Sequence, residues 1–313
     1  MQVHYGLDKE FDIRNPVVTT GSFDGVHIGH KTILNRLRKL AKEVDGESVL
    51  ITFHPHPRKI LYPDTAGKEL RLINSRSEKI RLLKTTRLDH LIIVEFTLDF
   101  SKMSSADFIR KVLAGKLKAR KVVVGFNHHF GHNREGDYEH LYILGKYFNF
   151  EVEEIPQQDI DNETVSSTKI RKALREGNIQ RANAYLDHHY IIRGHLEKGD
   201  PELFSKGFPT LRLPVEEDTK LIPPDGVYAV HLISGNIYYR GMLKIRRPGG
   251  DTSLPVPAAG LDLHLFEYNN NLEGKRATVF FHKQMRNEKI FTNGYDLLAE
   301  LDEAREETEE LIY

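Results

Sequence analysis

The residues best equipped for chemistry lie in the run GSFDGVHIGH, from Gly21 to His30, where three glycines are interspersed with Phe23, Asp24 and the histidines His27 and His30. Val17 to Thr20, just before it, is β-branched and reads as a short buried strand. After it, Ile33, Leu34, Leu37, Leu40 and Ala41 recur at the spacing of one helical face. The histidines therefore fall where a strand hands over to a helix N-terminus. Unpaired N–H groups and the positive end of the helix dipole face such a loop. Gly21, Gly25 and Gly29 allow close backbone approach, and the imidazoles add donors on neighbouring turns, so the chemistry suits an anion.

Two further loops carry the same character. PHPR, Pro55 to Arg58, follows the apolar run Val49 to Phe53, and VSSTKIR, Val165 to Arg171, opens an amphipathic helix with hydroxyls and two cations. A plainer reading exists for each: Ser167 or Thr168 could serve only as its helix cap, and an isolated HxGH could be a polar loop. Three phosphate-suited loops in one chain favour a nucleotide.

The elements that must position these loops are legible up to about Leu186. Val17 to Thr20, Val49 to Phe53, Leu91 to Glu95, Val122 to Gly125 and Val152 to Ile155 read as strands; the segments around 31–43, 75–86, 105–114 and 135–148 read as crossover helices. Such alternation predicts an α/β domain with a Rossmann-like parallel sheet, whose ligands bind at the carboxyl ends of the strands. Beyond His188 the pattern becomes period two. Tyr190 to Gly194, Gly226 to Ile233, Ile237 to Ile245, Leu261 to Tyr268 and Arg276 to Phe281 predict strands of a small antiparallel β-barrel, closed by a Glu-rich helix from Tyr295 to Ile312. The expected domains are 1–186 and 187–313.

Composition narrows the class. The chain has 313 residues, 45 Lys plus Arg against 45 Asp plus Glu, and no Cys. Zero net charge gives no footprint for nucleic acid, and the basic run Lys116 to Lys121 reads as a solvated helix end. Without Cys there are no disulfides, thiolate nucleophiles or thiolate zinc sites. A charged start and the lack of any membrane-length apolar run lead us to expect a soluble, cytoplasmic protein whose partners are small molecules. The histidines could alternatively form a metal cluster, although their loop positions are explained without one.

The order GSFDGVHIGH, ITFHPHP, GFNHHFG (Gly125 to Gly131) and SSTKIR closely resembles the prokaryotic bifunctional riboflavin kinase and FMN adenylyltransferase family, also called FAD synthetase. The resemblance implies that the first domain transfers AMP from ATP to FMN, giving FAD and pyrophosphate, with Mg2+ bridging the ATP oxygens. It assigns His27 and His30 to the ATP phosphates, with Gly21, Phe23, Asp24, Gly29 and Ser166 also in the nucleotide site. Ser167, Thr168 and Arg171 would close over the phosphates from the far side, Asn127 would sit near the reacting phosphates, and Pro55, His56, Pro57 and Asn127 would face the flavin. His128 and His129 depart from the family's usual residues there and read as solvated loop histidines.

The second half resembles the riboflavin kinase barrel in GFPT (Gly207 to Thr210), DGVYAV (Asp225 to Val230), HLFEYNNNLEGK (His264 to Lys275) and a last helix carrying Asp302 and Arg305. The family's GFPTAN holds nucleotide-bound magnesium through its Thr and Asn. Here Thr210 is kept but Arg212 stands at the Asn position, and a cation there repels a metal. Asp262 replaces the catalytic Glu, one methylene shorter. Leu203-Phe204 replaces a Gly-Arg pair, LKIRRPG (Leu243 to Gly249) replaces NIGTRPT, and Arg305 is carried over as a flavin contact. These departures predict impaired phosphoryl transfer; the opposing view is that Thr210 and Asp262 suffice. A flavin-binding regulatory protein, or a nucleotidyltransferase for another phosphorylated acceptor, are the alternative readings.

Overall fold

The computed structural model describes residues 1–125, 129–155, 159–160, 163–199, 210–247, 260–266, 268, 272–287, 305–308 and 310. It packs as two compact units: Met1–Leu70 with Lys79–Val165, and Arg71–Glu78 with Ser166–Tyr313.

The first unit is built on a six-stranded sheet of β1 (Gln2–Tyr5), β2 (Val17–Thr20), β3 (Ser48–His54), β4 (His90–Glu95), β5 (Lys121–Gly125) and β6 (Glu151–Ile155). Every pairing is parallel, in the order β1-β4-β3-β2-β5-β6. From β2 the chain steps outward through β3 to β4, then returns to the other side of β2 for β5 and β6. The order reverses between β2 and β5, and a crevice opens at the carboxyl ends of strands at such a switch point. Val17, Val18, Val49, Leu50 and Ile51 are all fully buried, as a parallel sheet covered on both faces requires. Helix α1 (Ile28–Glu43) packs on β2, β3 and β5, burying Leu34, Leu37, Leu40 and Ala41. Strand β1 was not read from the sequence: its QVHY is partly exposed at the sheet edge, so it lacks the continuous apolar run of its neighbours.

The second unit holds a seven-stranded antiparallel sheet. The first unit ends with a short hairpin of β7 (Asp159–Ile160) and β8 (Glu163–Thr164); the strands of the second are β9 (Tyr190–His195), β10 (Glu197–Lys198), β11 (Thr210–Arg212), β12 (Gly226–Ser234), β13 (Ile237–Arg246), β14 (Gly260–Leu265) and β15 (Arg276–Asn287). Their order is β10-β11-β14-β13-β12-β15-β9. The two edge strands are consecutive in the chain, separated only by Leu196, so one continuous stretch supplies both edges and the sheet must curl into the small barrel. Inside this unit Lys220 and Glu78 are buried together, Nζ donating to Oε2 at 2.7 Å. Glu78 also accepts from the backbone N–H groups of Ser75 and Arg193, so the pair is fully hydrogen-bonded as buried charges must be. Most of the expected final helix lies outside the described residues; 305–308 is helical.

Candidate active site

The Gly21–His30 loop sits at the switch point, directly after β2. Gly21 extends the β2–β3 pairing by donating to the Ile51 carbonyl at 3.0 Å. The chain then turns through three residues with left-handed φ: Phe23 at 47°, Gly25 at 94° and Val26 at 44°. A β-branched residue in that region is strained by about 1–3 kcal/mol, and such strain persists where surroundings over-determine it. The surroundings here are burial of Phe23, Asp24 and Val26 and two bonds to the Ser22 carbonyl. Lys79 Nζ donates to that carbonyl at 2.7 Å and Thr52 Oγ1 at 3.2 Å.

This turn delivers His27 as the residue before α1, in extended conformation, and His30 within its first turn. The two imidazoles stack with centroids 3.7 Å apart, and Phe23 stacks on His30 at 4.5 Å. A Cβ on Gly29 would lie 3.3 Å from the His27 ring, which makes this glycine a matter of close approach. The Nδ1 of His30 is buried and has no hydrogen-bond partner among the described residues. Burial, reinforced by the adjacent His27 and Lys79, holds the His30 pKa well below the usual imidazole range. His30 is thus a neutral imidazole beside a cation at a helix N-terminus, an arrangement that favours negative charge. Lys79 was not singled out from the sequence, where nothing local separates it from the other cations of its helix.

The remaining expected residues are placed as follows. His56 precedes the short helix Pro57–Leu61 and its Nδ1 accepts from the Arg58 N–H at 3.2 Å, a capping role, while Pro55 is exposed. Asn127 and His128 lie outside the described residues, and His129 is exposed. In the second unit, helix Ser167–Arg175 is capped by Ser166, whose side chain accepts from the Lys169 N–H at 3.3 Å, rather than by Ser167 or Thr168. Arg171 is buried, with its Nε donating to the Arg71 carbonyl at 2.9 Å.

On the barrel, Arg212 of β11 lies directly opposite Asp262 of β14, and Asp262 lies directly opposite Lys244 of β13. Arg212 Nε and Nη2 both reach Asp262 Oδ1 at 3.4 Å. A divalent cation at this position would meet the Arg212 guanidinium, with Lys244 in register on the other side of Asp262, so the residues do not fit a metal. Thr210 lies two pairs along the same strands, opposite His264. Arg305 sits over the Phe266 ring at 5.3 Å.

A parallel sheet presenting stacked imidazoles at a helix N-terminus on its switch point defines a nucleotide-binding α/β domain, here joined in sequence to an antiparallel barrel. The FAD synthetase family profile matches residues 9–169 and the riboflavin kinase profile residues 186–312. Proteins described as bifunctional riboflavin kinase/FMN adenylyltransferase resemble the chain throughout. One from Buchnera aphidicola subsp. Schizaphis graminum is 32% identical, covering 89% of this chain and 88% of its own. One from Listeria monocytogenes is 30% identical, covering 96% and 93%. A crystal structure described as a macrolide-efflux protein from Streptococcus pneumoniae superposes with a TM-score of 0.86 at 25% identity over 98% of both chains. Among the described residues no helix is long and apolar enough to cross a membrane, and the efflux in that description is not carried over. The chain belongs to the family of bifunctional riboflavin kinase/FMN adenylyltransferases.

Proposed function

We propose that this chain makes FAD: residues 1–186 transfer AMP from ATP to FMN, and residues 187–313 form the riboflavin kinase half that converts riboflavin and ATP to FMN and ADP. The observation that carries the adenylyl transfer is the His27–His30 stack on the α1 N-terminus, with the His30 Nδ1 buried and without a hydrogen-bond partner among the described residues. A phosphate oxygen of FMN attacks the α-phosphorus of ATP, the bond to the β-phosphate oxygen breaks, and pyrophosphate leaves with its electron pair. The attacking group is already an anion, so no base is needed. The protein's work is to hold two polyanions together and neutralise the charge that builds on the leaving group. Neutral His30 can donate an N–H to a phosphate oxygen, and an arriving polyanion favours its protonation; Lys79 supplies a fixed charge beside it.

Ser166, Ser167, Thr168 and Arg171 are assigned to the same triphosphate on motif order in the sequence, as are Asn127, Pro55, His56 and Pro57 to the acceptor. Among the described residues no group of three or more His, Asp or Glu is placed to hold a metal ion, and the loop donors are imidazole and ammonium. Magnesium is therefore proposed as part of the nucleotide substrate, held by its own oxygens. The partners are small molecules and the compartment is the cytoplasm, where ATP is available. The test is to incubate the purified chain with ATP and magnesium, offering FMN in one tube and riboflavin in another, and to separate the flavins. FAD from FMN is expected; its absence with folded protein overturns the proposal. FAD from FMN but not from riboflavin would overturn the kinase part of the proposal, the step that the Arg212–Asp262 pair is expected to slow.

A further inference from the structure

Helix Tyr138–Phe148 of the first unit has an apolar outer face. Of the nine large hydrophobic residues exposed among the described residues, three lie within six positions of this helix, Tyr142 (43% exposed), Ile143 (58%) and Tyr147 (80%), so they form one patch and are not scattered singly. The helix is fixed on its inner side, where Leu141 and Gly145 are buried, and at both ends. The Asp137 side chain accepts from the His140 N–H at 2.9 Å, and Asn149 closes the last turn in the left-handed region at φ 64°. The outer face is therefore held in place before anything meets it. Exposed Glu139, Tyr142, Ile143 and Lys146 follow the spacing i, i+3, i+4 and i+7, which puts all four on one side. Glu139 and Lys146 run along its middle two turns apart, with Tyr142 on one flank and Ile143 on the other. Lys146 Nζ lies over the Tyr142 ring at 4.3 Å, which keeps the ammonium on the patch.

This order of residues is self-complementary. Packed antiparallel against itself about a two-fold axis between Tyr142 and Ile143, the helix brings Glu139 of one copy opposite Lys146 of the other at both ends, with Tyr142 against Tyr142 and Ile143 against Ile143 in the centre. Packed parallel, it would set Glu139 against Glu139 and Lys146 against Lys146. Charge selects the antiparallel direction, in which the helix dipoles also oppose each other. We infer that this face is a two-fold contact between two copies of the chain, with the apolar pair at its centre and a Glu139–Lys146 pair at each end. The helix has eleven residues and is about 16 Å long, so the contact falls at the small end of specific interfaces and the dimer is weak, with a Kd on the order of 10 to 100 µM. Exposed ion pairs add little attraction; they fix direction and register.

The experiment is sedimentation equilibrium of the full chain from about 1 to about 500 µM at low salt, where screening is weak. A monomer–dimer equilibrium is expected. Tyr142→Ser combined with Ile143→Ser should weaken it by about tenfold or more, the scale of lost apolar burial at the centre of a contact. Glu139→Lys and Lys146→Glu should each weaken it severalfold, because each sets like charges together at both ends, and the variant carrying both changes should recover the wild-type affinity. The decisive arm mixes the two single variants. One then carries two cations on this face and the other two carboxylates, so the mixed pair should associate more tightly than either variant alone, a result that no folding defect produces. A chain that stays monomeric over the whole range overturns the inference and leaves the face to a different protein. A dimer indifferent to Tyr142 and Ile143, assembled through another surface, overturns it too, as does a mixture that associates no better than its components.

Discussion

Each unit of the molecule contains a cluster of histidines, and the two are built on opposite terms. In the first unit His27 and His30 stack at 3.7 Å on a turn with left-handed φ at Phe23, Gly25 and Val26, and the His30 Nδ1 has no hydrogen-bond partner among the described residues. In the barrel His231 and His282 satisfy each other, Nδ1 to Nε2 at 2.7 Å, and His189 lies against His282 with centroids 4.4 Å apart. His231 is further stacked on Phe280 at 4.4 Å and Tyr238 at 4.9 Å, on regular strands. Ring number and proximity are similar; what differs is that the barrel pair is joined by a hydrogen bond while the His30 Nδ1 is not bonded to any described residue. A buried polar atom left over on a strained turn at a helix N-terminus points to a ligand, whereas imidazoles bonded to each other and stacked on aromatic rings of regular strands point to packing.

That contrast breaks most visibly at His30. His30→Ala is expected to lower kcat for FAD formation by about 10²- to 10³-fold with little change in FMN affinity, as for loss of a donor acting on developing charge. A variant with normal kcat and weakened ATP binding would make His30 a ground-state contact only. Next, Lys79→Met should cut kcat/KM for ATP by about tenfold through loss of a charge-assisted contact, read from initial rates over a range of ATP. Gly29→Ala, whose Cβ arrives 3.3 Å from the His27 ring, should raise the KM for ATP severalfold; unchanged kinetics would mean that the ring position does not matter.

The barrel cluster is expected to affect stability and leave catalysis untouched. Burial lowers the pKa of His231 and of His282 to about 4, and lowers that of His189 as well. Between the ordinary value near 6.5 and about 4 the unfolded chain binds protons that the folded chain refuses, so stability falls as pH drops through this window. Replacing His231 and His282 by Gln should flatten that acid loss in urea titrations at pH 5, while FAD formation from FMN at pH 7.5 stays at the wild-type rate. A fall in that rate would erase the distinction between the two clusters.

Much of the first unit was legible because its strands are buried on both faces and read as β-branched runs: the Val17 to Thr20 strand was located at its observed bounds. The loop was legible because its glycines and histidines are close in sequence, and it turned out to lie at the sheet's order reversal. The edge strand Gln2–Tyr5 was not legible, since half-exposed residues need no hydrophobic run. The short strands Glu197–Lys198 and Thr210–Arg212 are defined by pairing more than by composition. Of the hydroxyls Ser166, Ser167 and Thr168, any could cap the helix; the extended backbone of Ser166, at φ −148° and ψ 153°, settled which one does.

Sequence alone determined what depends on near neighbours: the alternation of strands and helices, the turn from strand to helix, and the placing of two imidazoles on it. The tertiary structure decided which distant charges meet. Lys79 reaches the Ser22 carbonyl, Lys220 reaches Glu78 and Arg212 reaches Asp262 across 57, 142 and 50 residues of chain. Strand order and register select such partners, and a charged side chain carries no local signal of which opposite charge will be brought within a few ångströms of it.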